Sequence, residues 1–394
     1  MRWVCAVAST LLSTDALACG GFFCGGGPPV VEEPVPEEPP PDRVPAALVE
    51  QTSERIVFVQ SGERVRAIIQ IQYDGDPVDF AWIIPVPSPP TIGTTDPAIF
   101  SVLDEFTKPE WIYPGADADT DVDADADASG SDAASSSAGC ACALAGCSWE
   151  HYSDPDGRSS FQFESIEGIG AYAVAVVTAD RTSDLTDWIE RNVYTVPPEA
   201  LPIIDHYVEQ GFFFVAVRMQ ASADVKTIEP LVLEFEADEP CVPLRLTSIA
   251  AQPDMEVLLW VVGDSQATPM GAYSRVSAPM AGGEGGYVSR LSDAIDEAGG
   301  SAFAVEYAAP TRELPFLGGW SAEAEEIVRS GAYLTRLRTR MDPEEMSVDP
   351  LFGFDPDLAD VSNVRRESSR AEAAPLVLLA AFAALLSRRA RWRP

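Results

Sequence analysis

The sequence predicts an α+β fold with mixed, mainly antiparallel sheets, several short helices, a disordered acidic insertion and a C-terminal transmembrane-type helix. Three observations predict it. Segments with period-2 alternation of apolar residues recur along the chain, as half-buried strands require. Helical periodicity fills short stretches grouped between those runs instead of following every strand, which argues against a regular parallel βαβ array. Stretches rich in Pro and Glu, or in alternating Asp, break the pattern where no core can form.

The elements follow in order. Ile56 and Phe58 alternate in one run, then Val65, Ala67, Ile69, Ile71 and Tyr73 in another, with Ser61-Gly62 between them, which is a hairpin signal. Residues 80–86 (FAWIIPV) form a further apolar strand, followed by Pro87, Pro89 and Pro90. A short helix over 97–106 places Ile99, Val102, Leu103 and Phe106 on one face, with Asp96 as its cap. Residues 171–179 are strand-like, and 183–192 form an amphipathic helix with Leu185, Trp188 and Ile189 inward. A helix over 198–210 comes next, and then 212–219, 231–235, 244–249 and 257–262 all read as strands. Helices over 288–298 and 322–330 are closed by Gly299 and Gly331, and 333–338 alternates again. The folded body is thus 51–113 plus 161–345, near the upper size of one core.

Charge and the two ends bound where such a body works. With 26 Lys+Arg against 62 Asp+Glu in 394 residues, the net charge of -36 excludes nucleic acid as a partner, because that affinity rests on cations neutralising phosphates. Arg2, an apolar run over 3–12 and Ala16-Leu17-Ala18 before Cys19 make residues 1–18 a signal peptide. The small residues before Cys19 also fit lipoprotein processing, so Cys19 is a lipidation candidate as well as a disulfide candidate. Residues 19–50 are a Pro- and Glu-rich spacer that holds the body off a membrane or an N-terminal anchor. Residues 114–160 are the acidic, Cys-containing insertion, and 346–370 a linker. The apolar run over 375–386 falls short of the about 20 residues a bilayer span needs. Arg388, Arg389, Arg391 and Arg393 follow at once, so 371–394 reads as a short span with a cytoplasmic Arg cluster, and the membrane as a partner. It is similar to the short C-terminal sorting tails of some Gram-negative surface proteins. These features place the protein outside the cytoplasm, in a bacterial cell envelope. Once Cys5 leaves with the signal, Cys19, Cys24, Cys140, Cys142, Cys147 and Cys241 remain, an even set that suits disulfides in an oxidising compartment.

Six motifs in order carry a family resemblance. They are Cys19-Gly-Gly-Phe-Phe-Cys24, Glu54-Arg-Ile-Val-Phe58, Phe80-Ala-Trp-Ile-Ile-Pro-Val-Pro87, Gly170-Ala-Tyr-Ala-Val174, Cys241-Val-Pro-Leu-Arg-Leu-Thr247 and Tyr333-Leu-Thr-Arg-Leu337. Together they resemble the bacterial DUF2330 family over roughly 18–355, interrupted by the acidic insertion. The resemblance implies an extracytoplasmic bacterial protein and supplies no catalytic residues.

The chemistry-bearing residues offer few sites. Asp121, Asp123, Asp125 and Asp127 set carboxylates at every second position, a pattern for weak calcium association, and calcium is the one cofactor the sequence admits. A specific calcium loop is not formed: one opened at Asp121 has Ala126 where Gly should turn, and one opened at Asp125 has Ser136 where Glu should close it. Cys140, Cys142, Cys147 and His151 have the number of ligands for a tetrahedral metal, but an exported chain oxidises such thiols. His206 beside Asp205 has the makings of a general base, though it reads better as a partly buried structural histidine. No Gly-x-Ser-x-Gly elbow or His-Glu-x-x-His helix accompanies it. The Gly282-Gly-Glu-Gly-Gly286 run lacks a phosphate-binding Lys, and Trp82, Trp188 and Trp260 read as core. The leading reading is a membrane-tethered envelope protein with a binding or surface-structural role and no catalysis. An envelope hydrolase using dispersed carboxylates or the Asp205/His206 pair, and a calcium-responsive surface protein, are the alternatives.

Overall fold

Long apolar strands with one face each to bury need a second sheet to cover them, and here two sheets cover each other. The structure, a computed structural model, describes residues 22–24, 50–74, 80–112, 161–170, 172–192, 194–219, 229–280 and 286–366. The chain opens with β1 (Phe22–Cys24), then the hairpin β2 (Glu50–Ser61) and β3 (Arg64–Asp74), β4 (Phe80–Val86) and β5 (Thr91–Thr94). Helix α1 (Ala98–Thr107) and β6 (Glu110–Ile112) precede the insertion; β7 (Gln162–Ile169), β8 (Tyr172–Thr178), α2 (Thr182–Arg191), α3 (Leu201–Glu209) and β9 (Phe213–Met219) follow it. Next come β10 (Leu231–Glu236), α4 (Leu244–Thr247), β11 (Ala251–Gly263), β12 (Gln266–Pro269), β13 (Ser274–Ser277) and α5 (Gly286–Glu297). The last elements are β14 (Ala302–Pro310), α6 (Ala322–Ser330), β15 (Tyr333–Met341), β16 (Phe352–Asp355) and β17 (Val364–Arg366).

One sheet has the order β1-β4-β9-β8-β7 and the other β13-β14-β15-β11-β2-β3-β10-β5. Pairing is antiparallel apart from β11 with β2, β13 with β14, and β17 with β6. The hairpin turns at Gly62, whose φ of 59° lies in the left-handed region that glycine adopts without strain. Ile56, Phe58, Ala67, Leu259 and Val261 of the larger sheet share a buried cluster with Ile84, Val174, Val215 and Val217 of the smaller, so this core lies between the sheets. The outer face of the smaller sheet buries Ala175 and Ala216 against Leu185 and Trp188 of α2 and Ile204 of α3. The larger sheet's outer face buries Val57 and Trp260 against Ile99 and Leu103 of α1 and Ile327 of α6. The result is four layers, with two sheets inside and short helices outside.

The α+β expectation is corrected by this arrangement. Of the described residues, strand accounts for 44% and helix for 26%, so the body is predominantly β. The helices are peripheral covers of no more than 12 residues. Strand β14 escaped the sequence reading because Ala302–Pro310 lacks alternation; all but one of its residues are buried, on both faces. Among the described residues no helix is long and apolar enough to cross a membrane, so the transmembrane-type helix is not part of the observed fold. The stretch 371–394 lies outside the described residues, as does the acidic insertion.

Three local expectations change as well. Residues 244–249 read as a strand but contain the helix α4. Gly331 follows α6 with φ −121°, not left-handed; glycine suits it because an added Cβ would lie 2.6 Å from Val262 Cγ1. Residues 22–24, read as part of the spacer, form β1 and pair with β4, while 25–49 lie outside the described residues.

Candidate functional site

At one end of the sandwich, where the two sheets meet, the walls leave a cleft of about 510 Å³. The smaller sheet's side supplies Pro85 and Pro87 at the end of β4, Tyr207 of α3 and Phe212 ahead of β9. The larger sheet's side supplies Glu63 at the hairpin turn, Phe235 and Glu236 at the end of β10, and the segment through Asp238, Glu239, Cys241 and Pro243. Asp349 and Leu351 close it from the chain after β15. Local sequence explains the shape. Prolines end β4 where its ladder would otherwise continue, and Pro240 and Pro243 bracket Cys241, which makes a single bridge to Leu351.

Asp349 organises the floor. Its Oδ2 accepts from the Tyr207 hydroxyl at 2.6 Å, and its Oδ1 accepts from the Arg245 backbone N–H at 2.8 Å. The Arg245 guanidinium turns away, its Nε donating to Ser347 O at 2.6 Å. The Tyr273 hydroxyl donates to Val348 O at 2.6 Å and fixes the same segment from beneath. Burial raises the Asp349 carboxyl above the usual range, against the lowering effect of those hydrogen bonds and of the Arg245 and His206 charges. Burial, together with the neighbouring Asp349, pushes the Tyr207 hydroxyl and the Cys241 thiol far up. A thiol held protonated is no nucleophile. Among the described residues Asp349, Glu63, Glu236, Asp238 and Glu239 take part in no ion pair, so the cleft presents carboxylates beside apolar side chains with no side-chain cation bridging them.

The walls of this cleft run from Glu63 to Leu351. A family model described as an uncharacterized protein conserved in bacteria, DUF2330, matches residues 44–353 and so spans all of them. The chain belongs to the DUF2330 family. No curated protein and no solved structure matches it. Strand β1 lies ahead of the family match; the hairpin, both faces of the sandwich core and the cleft lie within it.

The other sequence-derived sites scatter. Asp121, Asp123, Asp125 and Asp127, with Cys19, Cys140, Cys142, Cys147 and His151, lie outside the described residues. Among the described residues no cluster of His, Cys, Asp and Glu is arranged to hold a metal ion. Cys241 is a free thiol in the cleft wall, while the Cys24 backbone pairs with Phe80 at the far end of β4 from Pro85. Asp205 and His206 do not form a pair. The Asp205 carboxylate accepts from Thr182 of α2, whereas His206 contacts Gln210 one turn on, at 2.8 Å. His206 is exposed, not partly buried. Trp188 and Trp260 are buried as expected, and Gly286 opens α5.

Sequence reading missed Asp349 and Tyr207, which are 142 residues apart, because nothing in spacing or period links them. The acidic run Glu236, Asp238 and Glu239 just ahead of Cys241 was the available signal. It also missed a ladder on the larger sheet. Arg336, Arg338 and Arg340, at alternate positions of β15, face Asp254 and Glu256 of β11 and Glu306 of β14. Glu306 sits at the irregularity in the β14–β15 register, and it is fully buried against Arg336. Asp104 of α1 reaches Arg336 at 2.7 Å, Trp260 donates to Thr107 at 2.9 Å, and the Arg336 guanidinium lies 5.1 Å from the Trp260 ring centroid. With every charge paired, this ladder is a structural tie between α1 and the sheet.

Proposed function

We propose that this chain is an exported protein of the bacterial cell envelope whose body binds a small ligand in the cleft beside Asp349. The signal-like N-terminus and the acidic composition support export, and the family's bacterial distribution agrees with an envelope setting. The observation that carries the binding role is the cleft itself. It is of ligand size, and its walls combine prolines and aromatics with five carboxylates. Its one thiol is held protonated, and no histidine lines it, so binding suits it better than nucleophilic catalysis.

Two measurements on protein from the native host test this. Mass spectrometry of the N-terminal peptide is expected to show a chain starting at or near Cys19 in the envelope fraction; a cytoplasmic chain retaining Met1 would overturn export. Native mass spectrometry of the purified full chain is expected to show a small-molecule adduct that a Leu351→Trp variant, which narrows the cleft from its exposed edge, does not retain. An adduct carried equally by both proteins would place binding elsewhere.

A further inference from the structure

The cleft joins two features that seldom coincide unless something fits both. Pro85, Phe212 and Phe235 give its floor an apolar part beside Asp349, and its rim carries Glu236, Asp238 and Glu239. In a chain with 62 acidic residues, acids at a rim are unremarkable alone; their position beside apolar side chains, in a cavity that lacks a basic lining residue, is the informative part. On the larger sheet the buried Glu306 is neutralised by Arg336. Here Asp349 is held by a tyrosine hydroxyl and a backbone N–H, and the Arg245 guanidinium donates through Nε to the Ser347 carbonyl instead.

From this geometry we infer that the cleft takes an organic cation: an ammonium or similar group at the rim carboxylates and Asp349, with an alkyl or aryl stem on Pro85, Phe212 and Phe235. The inference rests on the proposed binding role of the same cleft and specifies its ligand class. An anion with the same stem would meet uncompensated carboxylates, and a cation without a stem would leave the floor wet. Discrimination therefore needs both parts of the ligand. A raised Asp349 carboxyl adds a signature, since a bound cation favours its ionised form and binding would release its proton. The charged and titratable groups that face Asp349 are Tyr207, Tyr273, Cys241, Arg245 and His206.

Isothermal titration of the full chain at neutral pH and physiological salt, with n-octylammonium, octanoate and tetramethylammonium as probes, tests the assignment. The expected result is saturable binding of about one n-octylammonium, about tenfold or more tighter than either of the others. That preference should be lost in a Glu236→Gln/Asp238→Asn/Glu239→Gln variant whose thermal stability is unchanged, because these side chains make no ion pair. Equal affinity for octanoate overturns the cation class while leaving the cleft as a binding site. Equal affinity for tetramethylammonium, or n-octylammonium binding undiminished in the variant, assigns the effect to the general negative surface and overturns the inference. No binding of any probe overturns the cation class too, and the adduct comparison with Leu351→Trp then decides separately whether the cleft is a ligand site.

Discussion

At the scale of single residues, the balance between burial and pairing decides what each carboxylate does. Glu306 is buried opposite Arg336, so its charge is met. Glu54, 3% exposed on the same side of β2 as Ile56, has among the described residues only the Gln51 amide at 3.5 Å, and burial pushes its carboxyl up to about 7 from an ordinary 4.5. The folded state therefore binds this proton more tightly than the unfolded chain. The stability contributed by Glu54 is fully present below about 4.5 and is lost as pH rises through about 7. We expect Glu54→Gln to unfold much like the parent at pH near 4.5 and to be more stable above pH 7 by up to about 3 kcal/mol. Urea denaturation of both proteins across that range checks it; parallel stability curves would contradict it. The Glu54 motif was legible in the sequence, but its burial was not, since alternation along β2 does not say what covers a face.

At the scale of elements, amphipathic helices and the hairpin were readable because their signals are local. Leu185, Trp188 and Ile189 of α2 point inward at helical spacing, and Ser61-Gly62 marks a turn whatever surrounds it. Helix α4 was not readable, and the reason is specific. Leu244-Arg-Leu-Thr247 alternates over too few residues to separate strand from helix, and the group that accepts its first-turn N–H is Asp349, 104 residues away. That carboxylate acts as a helix cap supplied from outside the helix. Asp349→Ala should cost about 1–3 kcal/mol and quicken amide exchange over 245–247, whereas Asp349→Asn, which retains an acceptor, should do much less. Unchanged exchange in the alanine variant would show that α4 holds itself.

At the scale of the whole molecule, the core between the sheets sets cooperativity. It draws side chains from β2, β3, β10 and β11 on one side and from β4, β8 and β9 on the other, so neither sheet has its inner face covered without the other. We expect calorimetry to show one transition for the body, and Leu259→Ala, emptying space at a fully buried position, to shift that transition as a unit by about 2–5 kcal/mol. A first step leaving either sheet folded would show two independent cores. The covering helices are short and lie outside both sheets, which is why counting helices in the sequence gave them more weight than the fold does.

The sequence by itself determined the family, the hairpin, the inward faces of α1 and α2, and the overall acidity, all of which are local patterns or sums over residues. Only the tertiary structure decided that two sheets pack into a mostly β body, that α4 is a helix, and that Asp349, Tyr207 and Cys241 share one cleft. The physical reason is the same in each case. Pairing across a sheet and burial between sheets are set by contacts between residues far apart in the chain, and no local period encodes which distant partner covers a face or meets a charge.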